Sequence, residues 1–197
     1  MSKIETYISV DIESDGGYPG DYSMLSIGAS ACAKRVDNQF IRLNVDDIAN
    51  QFYITLKPVT DKYVQAAVEV CKEGGLIRDE LLLYGIDPYV AMRDFATWLK
   101  RFDNPIMVAY PLSFDWSFVY YYFCKYAIPD NQPFSFSQCL DIKTLYAIKA
   151  GVGIKGTGKR SMPKHLKSKR PHTHNALDDA IEQGELFCNI MEWDGNA

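Results

Sequence analysis

The sequence predicts an α/β protein with a mixed β-sheet, and three patterns support that fold class. Residues 7–13 alternate between apolar and polar side chains, as a half-buried β-strand does. Residues 105–110 (PIMVAY) form a short apolar run that is typical of a fully buried strand. Strands dominate the first part of the chain and then alternate with segments of helical periodicity. A chain of 197 residues is long enough for about one domain with its own hydrophobic core.

The other elements follow from periodicity and from turn-forming residues. Gly16 and Gly17 end the first strand, and two further strands are expected at residues 24–33 and 51–56, which would complete an antiparallel meander. Pro88 suits the first position of a helix whose apolar residues recur at helical spacing. Further helices are expected at residues 63–72, 116–126, 141–149 and 176–191, and a loop that contains one helical turn is expected at 151–173.

The composition excludes several classes of protein. A content of 47% hydrophobic and 13% aromatic residues excludes a disordered or fibrous chain. The five cysteines lie far apart without a CxxC pair, which argues against a disulfide framework or a structural zinc site. We expect neither a signal peptide nor a membrane span, and therefore a soluble, cytoplasmic protein. The net charge of −4 does not by itself favour nucleic-acid binding.

Two acidic residues end the first strand on the same face. Asp11 and Glu13 are two positions apart in a strand, so their side chains project together and would repel each other unless a cation lies between them. The alternative is a pair of solvated polar residues at a strand end. Asp115 follows the apolar strand at residues 105–110, either as an ordinary acid at a helix N-terminus or as a further ligand at the same edge of the sheet.

The last helix begins with a histidine and two acids. Asn175 is a good N-cap, which places His174 just before the helix. Asp178 and Asp179 flank the apolar stripe of this helix about equally, so periodicity does not choose between them. Both acids also suit the positive end of the helix dipole, which is the alternative to a role in a site.

In their order and spacing, three segments resemble the DnaQ-like DEDDh 3′→5′ exonucleases over most of the chain. They are DIESDG (11–16), YPLSFDWSF (110–118) and HNALDDA (174–180), of which the last is the most specific. The resemblance implies a ribonuclease H-like fold, in which a mixed five-stranded sheet is flanked by helices, formed here by a single domain over residues 1–197.

The resemblance also implies the residues of an active site. The metal ligands would be Asp11, Glu13, Asp115 and Asp179, because the family's third ligand segment places its acid five residues after the histidine. His174 would be the general base and a catalytic residue together with Glu13, with His172 as the alternative base if the loop register differs. Carboxylate oxygens suit two Mg²⁺ or Mn²⁺ ions, which act together in phosphodiester hydrolysis.

The loop at residues 151–173 holds seven cations and no acid, whereas the rest of the chain carries 14 cations and 25 acids. A solvated surface is the ordinary explanation, but the loop leads directly to His174. We therefore expect it to bind substrate phosphates, through Lys159, Arg160 and Lys164. Met24 and Leu25 are expected either to contact the terminal base or to lie in the core of the second strand.

The predicted function is metal-dependent 3′→5′ exonuclease activity on single-stranded RNA or DNA ends, with release of nucleoside 5′-monophosphates. The alternatives are a non-catalytic nucleic-acid-binding or polymerase-associated module on the same fold, and an endonuclease of the wider ribonuclease H-like group. No membrane partner is expected. The sequence leaves a monomer and a homodimer open.

Overall fold

The computed structural model describes residues 4–127 and 132–195, which form a mixed sheet with helices on both faces. The strands of this part of the chain are β1 (Ile4–Ser14), β2 (Met24–Val36), β3 (Gln39–Arg42), β4 (Gln51–Thr55), β5 (Pro105–Ala109) and β6 (Cys139–Asp141). β2 is antiparallel to β1, and β5 and β6 continue the sheet in parallel on the other side of β1. β3 and β4 pair with different parts of β2, so the six strands occupy five positions. The predicted α/β class with a mixed sheet is confirmed.

Within residues 4–127 and 132–195, helices pack on both faces of the sheet. They are α1 (Gln65–Glu73), α2 (Arg78–Tyr84), α3 (Pro88–Leu99), α4 (Leu112–Tyr126), α5 (Ile142–Ala150) and α6 (Ala176–Glu192). α3 and α4 pack on one face, where Phe95 and Phe123 stack, and α5 and α6 pack on the other face around Phe187. The alternation of β1 explains this division, because Ile8 and Val10 point to the first face and Tyr7 to the second.

The structure contains elements that the sequence patterns did not predict. β3 forms a short hairpin with the end of β2, and α2 and β6 are short elements of seven and three residues. Such elements are too short to show a clear period. α4 begins at Leu112, four residues earlier than predicted, so Asp115 lies in its first turn. The loop at 151–173 contains three 3₁₀ turns and buries Met162 and Leu166, which attach it to the α6 side of the core.

One close contact places α6 relative to the sheet. Gly28 of β2 pairs with Asp11 of β1, and the backbone of Ala176 and Leu177 lies directly over Gly28. A Cβ atom at Gly28 would lie 2.2 Å from the Ala176 carbonyl, so a larger residue would push the helix away. The first turn of α6 is therefore held beside the carboxyl end of β1.

Within the residues that the structure describes, no helix combines the length and the apolar character that a membrane span requires.

Candidate active site

Four carboxylates from three elements converge at the carboxyl end of β1. Asp11 and Glu13 come from β1, Asp115 from α4 and Asp179 from α6. Asp11, Glu13 and Asp179 each offer a carboxylate oxygen, and these oxygens lie within 4.8 Å of one another. The structure therefore brings together the acids that the sequence singled out.

The backbone of β1 fixes the position of Asp115. The N–H group of Ile12 donates to Asp115 Oδ1 at 3.0 Å, and the Asp115 side chain is buried. β5 runs parallel to β1 and leads into α4, so the first turn of α4 and the end of β1 meet at the same edge of the sheet.

Burial and mutual repulsion make the ionised carboxylates unfavourable in the absence of a cation. Burial, followed by the charges of Asp115, Glu13 and Asp179, raises the pKa of Asp11 well above its ordinary value. Burial is also the main cause that raises the pKa of Glu13 to about 8 and that of Asp115 to about 7. A divalent cation would offset this repulsion, and an all-oxygen set of donors is the one that Mg²⁺ and Mn²⁺ prefer. The residues present therefore fit the metal that the resemblance implies.

Asp179, and not Asp178, faces the other acids. Asp179 is 2% exposed and accepts hydrogen bonds from the N–H groups of Thr173 and His174, each at 2.9 Å. Asp178 is exposed, and its Oδ2 accepts a hydrogen bond from Thr173 Oγ1 at 3.3 Å. The structure separates the two acids that helical periodicity left equivalent.

Both candidate histidines lie next to Asp179. The rings of His172 and His174 have centroids 4.5 Å apart, and His172 Nδ1 is 3.0 Å from Asp179 Oδ2. His174 has a left-handed backbone with φ of 58°, which a residue other than glycine adopts only when its surroundings hold it there. Its N–H donates to Asp179, and its carbonyl lies against Gly74, where an added Cβ would be 1.8 Å from the oxygen.

Two residues that the sequence patterns did not indicate also contact the acids. Gln183 is 2% exposed, and its Nε2 donates to the Val10 carbonyl at 3.0 Å and to Asp11 Oδ1 at 3.2 Å. Gln183 lies four residues after Asp179, so i,i+4 helical spacing could have indicated it. The thiol of Cys71 on α1 lies 3.9 Å from Glu13 Oε2 and donates to the Ser14 carbonyl at 3.4 Å. No local pattern links Cys71 to the first strand.

The cations of the 151–173 loop are distributed unevenly around the site. Lys159 forms an ion pair with Glu182 of α6, and its charge partly offsets the rise in the pKa of Asp11. Arg160 and Lys164 are exposed on the same loop. Arg170 pairs with Asp46 and Glu185 and thus attaches the loop further along α6. Of the three predicted phosphate-binding residues, Lys159 is the one whose charge affects the pKa of Asp11.

Met24 and Leu25 are completely buried in β2. The N–H of Met24 donates to Tyr122 Oη at 2.8 Å, and Leu25 packs with Cys71, Leu76 and Leu81. This placement corresponds to the strand-core alternative for both residues, and contact of either with a substrate base stays a prediction.

An apolar recess of about 470 Å³ opens beside Glu13. Its walls come from the end of β1, from α1 and from Phe114 of α4, which is 37% exposed. The recess and the carboxylates are adjacent, because Glu13 belongs to both. A ligand whose apolar part lies in the recess would have its remaining part close to the carboxylates.

Comparisons with known proteins agree with this geometry. The sequence model of the Rv2179c-like 3′-5′ exoribonuclease domain matches residues 76–191. The chain is 36% identical over 187 residues to the 3′-5′ DNA exonuclease Cap18 of Escherichia coli, and the alignment covers 93% of this chain and 90% of Cap18.

Several solved structures have a similar fold, although their sequence identity to this chain is low. S. pombe Pop2p, in a form with bound Mg²⁺ and Mn²⁺, has a TM-score of 0.67 at 17% identity, covering 96% of this chain and 85% of Pop2p. The nuclease domain of 3′hExo, a DEDDh family member bound to rAMP, has a TM-score of 0.60 at 15% identity, covering 94% of this chain and 90% of that domain. E. coli exonuclease I in complex with a dT13 oligonucleotide has a TM-score of 0.63 at 12% identity over 95% of this chain, which spans only 40% of that protein.

These neighbours confirm the predicted ribonuclease H-like fold, and the two sequence matches confirm the predicted relationship to DnaQ-like exonucleases. The chain belongs to the family of Rv2179c-like 3′-5′ exoribonuclease domains.

Proposed function

We propose that this protein is a metal-dependent 3′→5′ exonuclease of the DEDDh type, which acts on the 3′ ends of single-stranded RNA or DNA and releases nucleoside 5′-monophosphates. The observation that carries the proposal is the convergence of Asp11, Glu13 and Asp179 within 4.8 Å, with Asp115 beside them and His174 bonded to Asp179 through its backbone. Membership in a 3′-5′ exonuclease family supports the direction of the reaction.

The four carboxylates would hold two Mg²⁺ or Mn²⁺ ions. When bound, such ions supply positive charge that stabilises the attacking and leaving oxygens of a phosphodiester in an in-line displacement. Asp115 is kept in place by the N–H of Ile12, and Asp11 by the amide of Gln183, so both acids are oriented before any ligand arrives. This preorganisation reduces the cost of assembling the site.

His174 would act as the general base that removes a proton from the attacking water. Histidine is the side chain that most often serves as a general base near neutral pH. The left-handed backbone of His174 and the hydrogen bonds from its N–H and that of Thr173 to Asp179 fix the loop from which the ring projects. Glu13, beside the recess, would act with His174 at the reacting phosphate.

The apolar recess beside Glu13 is the proposed place for the terminal base. Its volume of about 470 Å³ and its exposed Phe114 suit a nucleobase, because a base stacks on an aromatic ring with about 1–3 kcal/mol. Leu25 packs against Cys71, which lines the recess, so it would support that wall. Arg160 and Lys164 would meet the phosphates of the following nucleotides from the loop.

Digestion of matched oligonucleotides tests the proposal. The purified protein is incubated with Mg²⁺ or Mn²⁺ and with 5′-labelled single-stranded RNA and DNA of the same sequence. We expect stepwise shortening from the 3′ end that disappears with EDTA or in Asp11→Asn, whereas Asp178→Asn, which changes an exposed acid at the same edge, retains activity.

The same experiment separates the alternatives. No shortening of either nucleic acid with either metal would refute the proposal, and binding without cleavage would identify a non-catalytic module. Cutting of circular or 3′-blocked substrates would instead identify an endonuclease. The matched family is described as exoribonucleases and the E. coli relative as a DNA exonuclease, so the ratio of the two rates assigns the sugar preference.

A further inference from the structure

A second group of metal-binding side chains adjoins the four carboxylates. His172, His174 and Asp179 each offer a ligand atom, and these atoms lie within 4.8 Å of one another. His172 Nδ1 is already 3.0 Å from Asp179 Oδ2, and the two imidazole rings are in contact. The proposed reaction uses His174 and Asp179 but gives no role to His172, whose side chain is 52% exposed.

The two groups differ in the kind of ion that they favour. Asp11, Glu13 and Asp179 present only oxygen atoms, whereas His172 and His174 add two imidazole nitrogens to the carboxylate of Asp179. Two imidazoles and one carboxylate, with water as a fourth ligand, form a set that binds Zn²⁺ well and Mg²⁺ poorly. Asp179 belongs to both groups, so ions bound to them would compete for its oxygens.

The protein holds this group in place before any ion binds. Asp179 is buried and receives two backbone N–H groups, which leaves its position fixed. The backbone of His174 is restricted by its left-handed conformation and by Gly74. The ring of His172 lies against that of His174, and its Nδ1 is 3.0 Å from Asp179 Oδ2. The carboxyl groups of Asp11 and Glu13 lie close to Asp179 and offer further oxygen donors at this edge of the sheet.

We propose that His172, His174 and Asp179 form a transition-metal site that takes Zn²⁺, and that its occupation inhibits the enzyme. Zn²⁺ bound there would coordinate the imidazole of His174, the proposed general base, and an oxygen of Asp179, a proposed Mg²⁺ ligand. The binding half of this proposal is independent of activity, whereas the inhibitory half rests on the proposed function. His172 is then a regulatory ligand that sets the sensitivity of the enzyme to zinc.

Direct zinc binding tests the site without an activity assay. The metal-free, full-length protein is titrated against a chromophoric zinc chelator in millimolar Mg²⁺. We expect one tightly bound Zn²⁺ in the wild type and an affinity that falls by about tenfold or more in His172→Ala, because removal of a ligand costs at least as much as removal of its supporting partner. His165→Ala is the matched control, since the third histidine of the chain lies outside the group. An unchanged affinity in His172→Ala, or no binding in the wild type, overturns the proposal.

Ring resonances give a second readout that does not depend on a variant. Because the chain has three histidines, a ¹H–¹⁵N spectrum of the imidazole rings is simple enough to assign. Zinc is expected to shift the signals of His172 and His174 and to leave those of His165 in place, and a uniform response or none contradicts the site. If the protein shortens oligonucleotides, micromolar Zn²⁺ is then expected to inhibit the wild type and His165→Ala equally, and equal inhibition of His172→Ala refutes the inhibitory role.

Discussion

Replacing Glu13 by Gln is expected to stabilise the metal-free protein at pH 8 and to change its stability little at pH 5. Burial first, and then the charges of Asp179 and Asp115, raise the pKa of Glu13 from 4.5 to about 8. The ionised side chain is therefore an energetic cost that the site carries whenever no cation is bound. Glutamine has a similar shape and no charge, so it removes the cost.

The sign of the effect follows from proton binding. Below pH 4.5 the carboxyl is protonated in both the folded and the unfolded protein, and it costs nothing. Between pH 4.5 and about 8 the folded protein keeps a proton that the unfolded chain has released, so the free energy of unfolding falls as the pH rises. Above about pH 8 the full cost is present, with an upper bound of about 5 kcal/mol from the difference in pKa.

Thermal melts in EDTA at pH 5, 6, 7 and 8 measure this cost. If ionised Glu13 destabilises the wild type by half of that upper bound, the Tm of Glu13→Gln is expected to exceed that of the wild type by about 5–10 °C at pH 8. Millimolar Mg²⁺ is expected to reduce this difference in Tm, because an ion bound at the proposed site would stabilise the folded wild type and offset the repulsion between its carboxylates. Asp178→Asn is the control for loss of an exposed acid at the same edge. Parallel pH profiles for the wild type and Glu13→Gln would refute the electrostatic account of the site.

Three further substitutions test how α6 and its preceding loop serve the site. Asp179→Asn is expected to lower the nuclease rate by about 100-fold or more, because it removes a proposed metal ligand. The exposed Asp178→Asn is expected to stay within about a factor of two, and equal losses in the two variants would contradict the assignment of Asp179. Gln183→Leu is expected to raise the Mg²⁺ concentration for half-maximal activity by about 10–100-fold, with recovery at saturating Mg²⁺, and an unchanged requirement would exclude a positioning role. Gly74→Ala places a Cβ 1.8 Å from the His174 carbonyl, so urea unfolding should show a loss of about 1–3 kcal/mol together with reduced activity.

The sequence predicted the elements that have a clear period or a clear boundary. The alternation in β1 placed Asp11 and Glu13 on one face, and Pro88 marked the start of α3. The sequence did not predict α2 or β6, since elements of seven and three residues contain too few side chains to show a period. The start of α4 was predicted four residues late, because Pro111 and the aromatic residues after it obscure where the helix begins.

For the site, residue types and spacing indicated the acids, but contacts between distant segments were out of reach. Helical periodicity left Asp178 and Asp179 equivalent, and the difference between them comes from burial of Asp179 against the loop N–H groups. The contact of Gly74 with His174 joins residues one hundred positions apart, and nothing local in either segment encodes it. The sequence predicts that the basic loop binds phosphates, and this stays a prediction. Two of its cations, Lys159 and Arg170, form ion pairs with acids of α6, which no local pattern indicated.

The geometry of the site depends on how one helix lies on one strand pair. The backbone of Ala176 rests on Gly28, which pairs with Asp11 in the sheet, and this contact sets the distance from α6 to β1. One turn later α6 supplies Asp179, and after a further turn Gln183 bonds both to the backbone of Val10 and to the side chain of Asp11. A shift of α6 along the sheet would therefore displace two groups at once. These are the carboxylate of Asp179 and the amide of Gln183, which orients Asp11. Because these contacts are made by buried, closely packed groups, they couple the position of α6 to that of β1. Substitutions that disturb the packing at Gly28 are therefore expected to weaken metal binding by the proposed ligands before they unfold the protein.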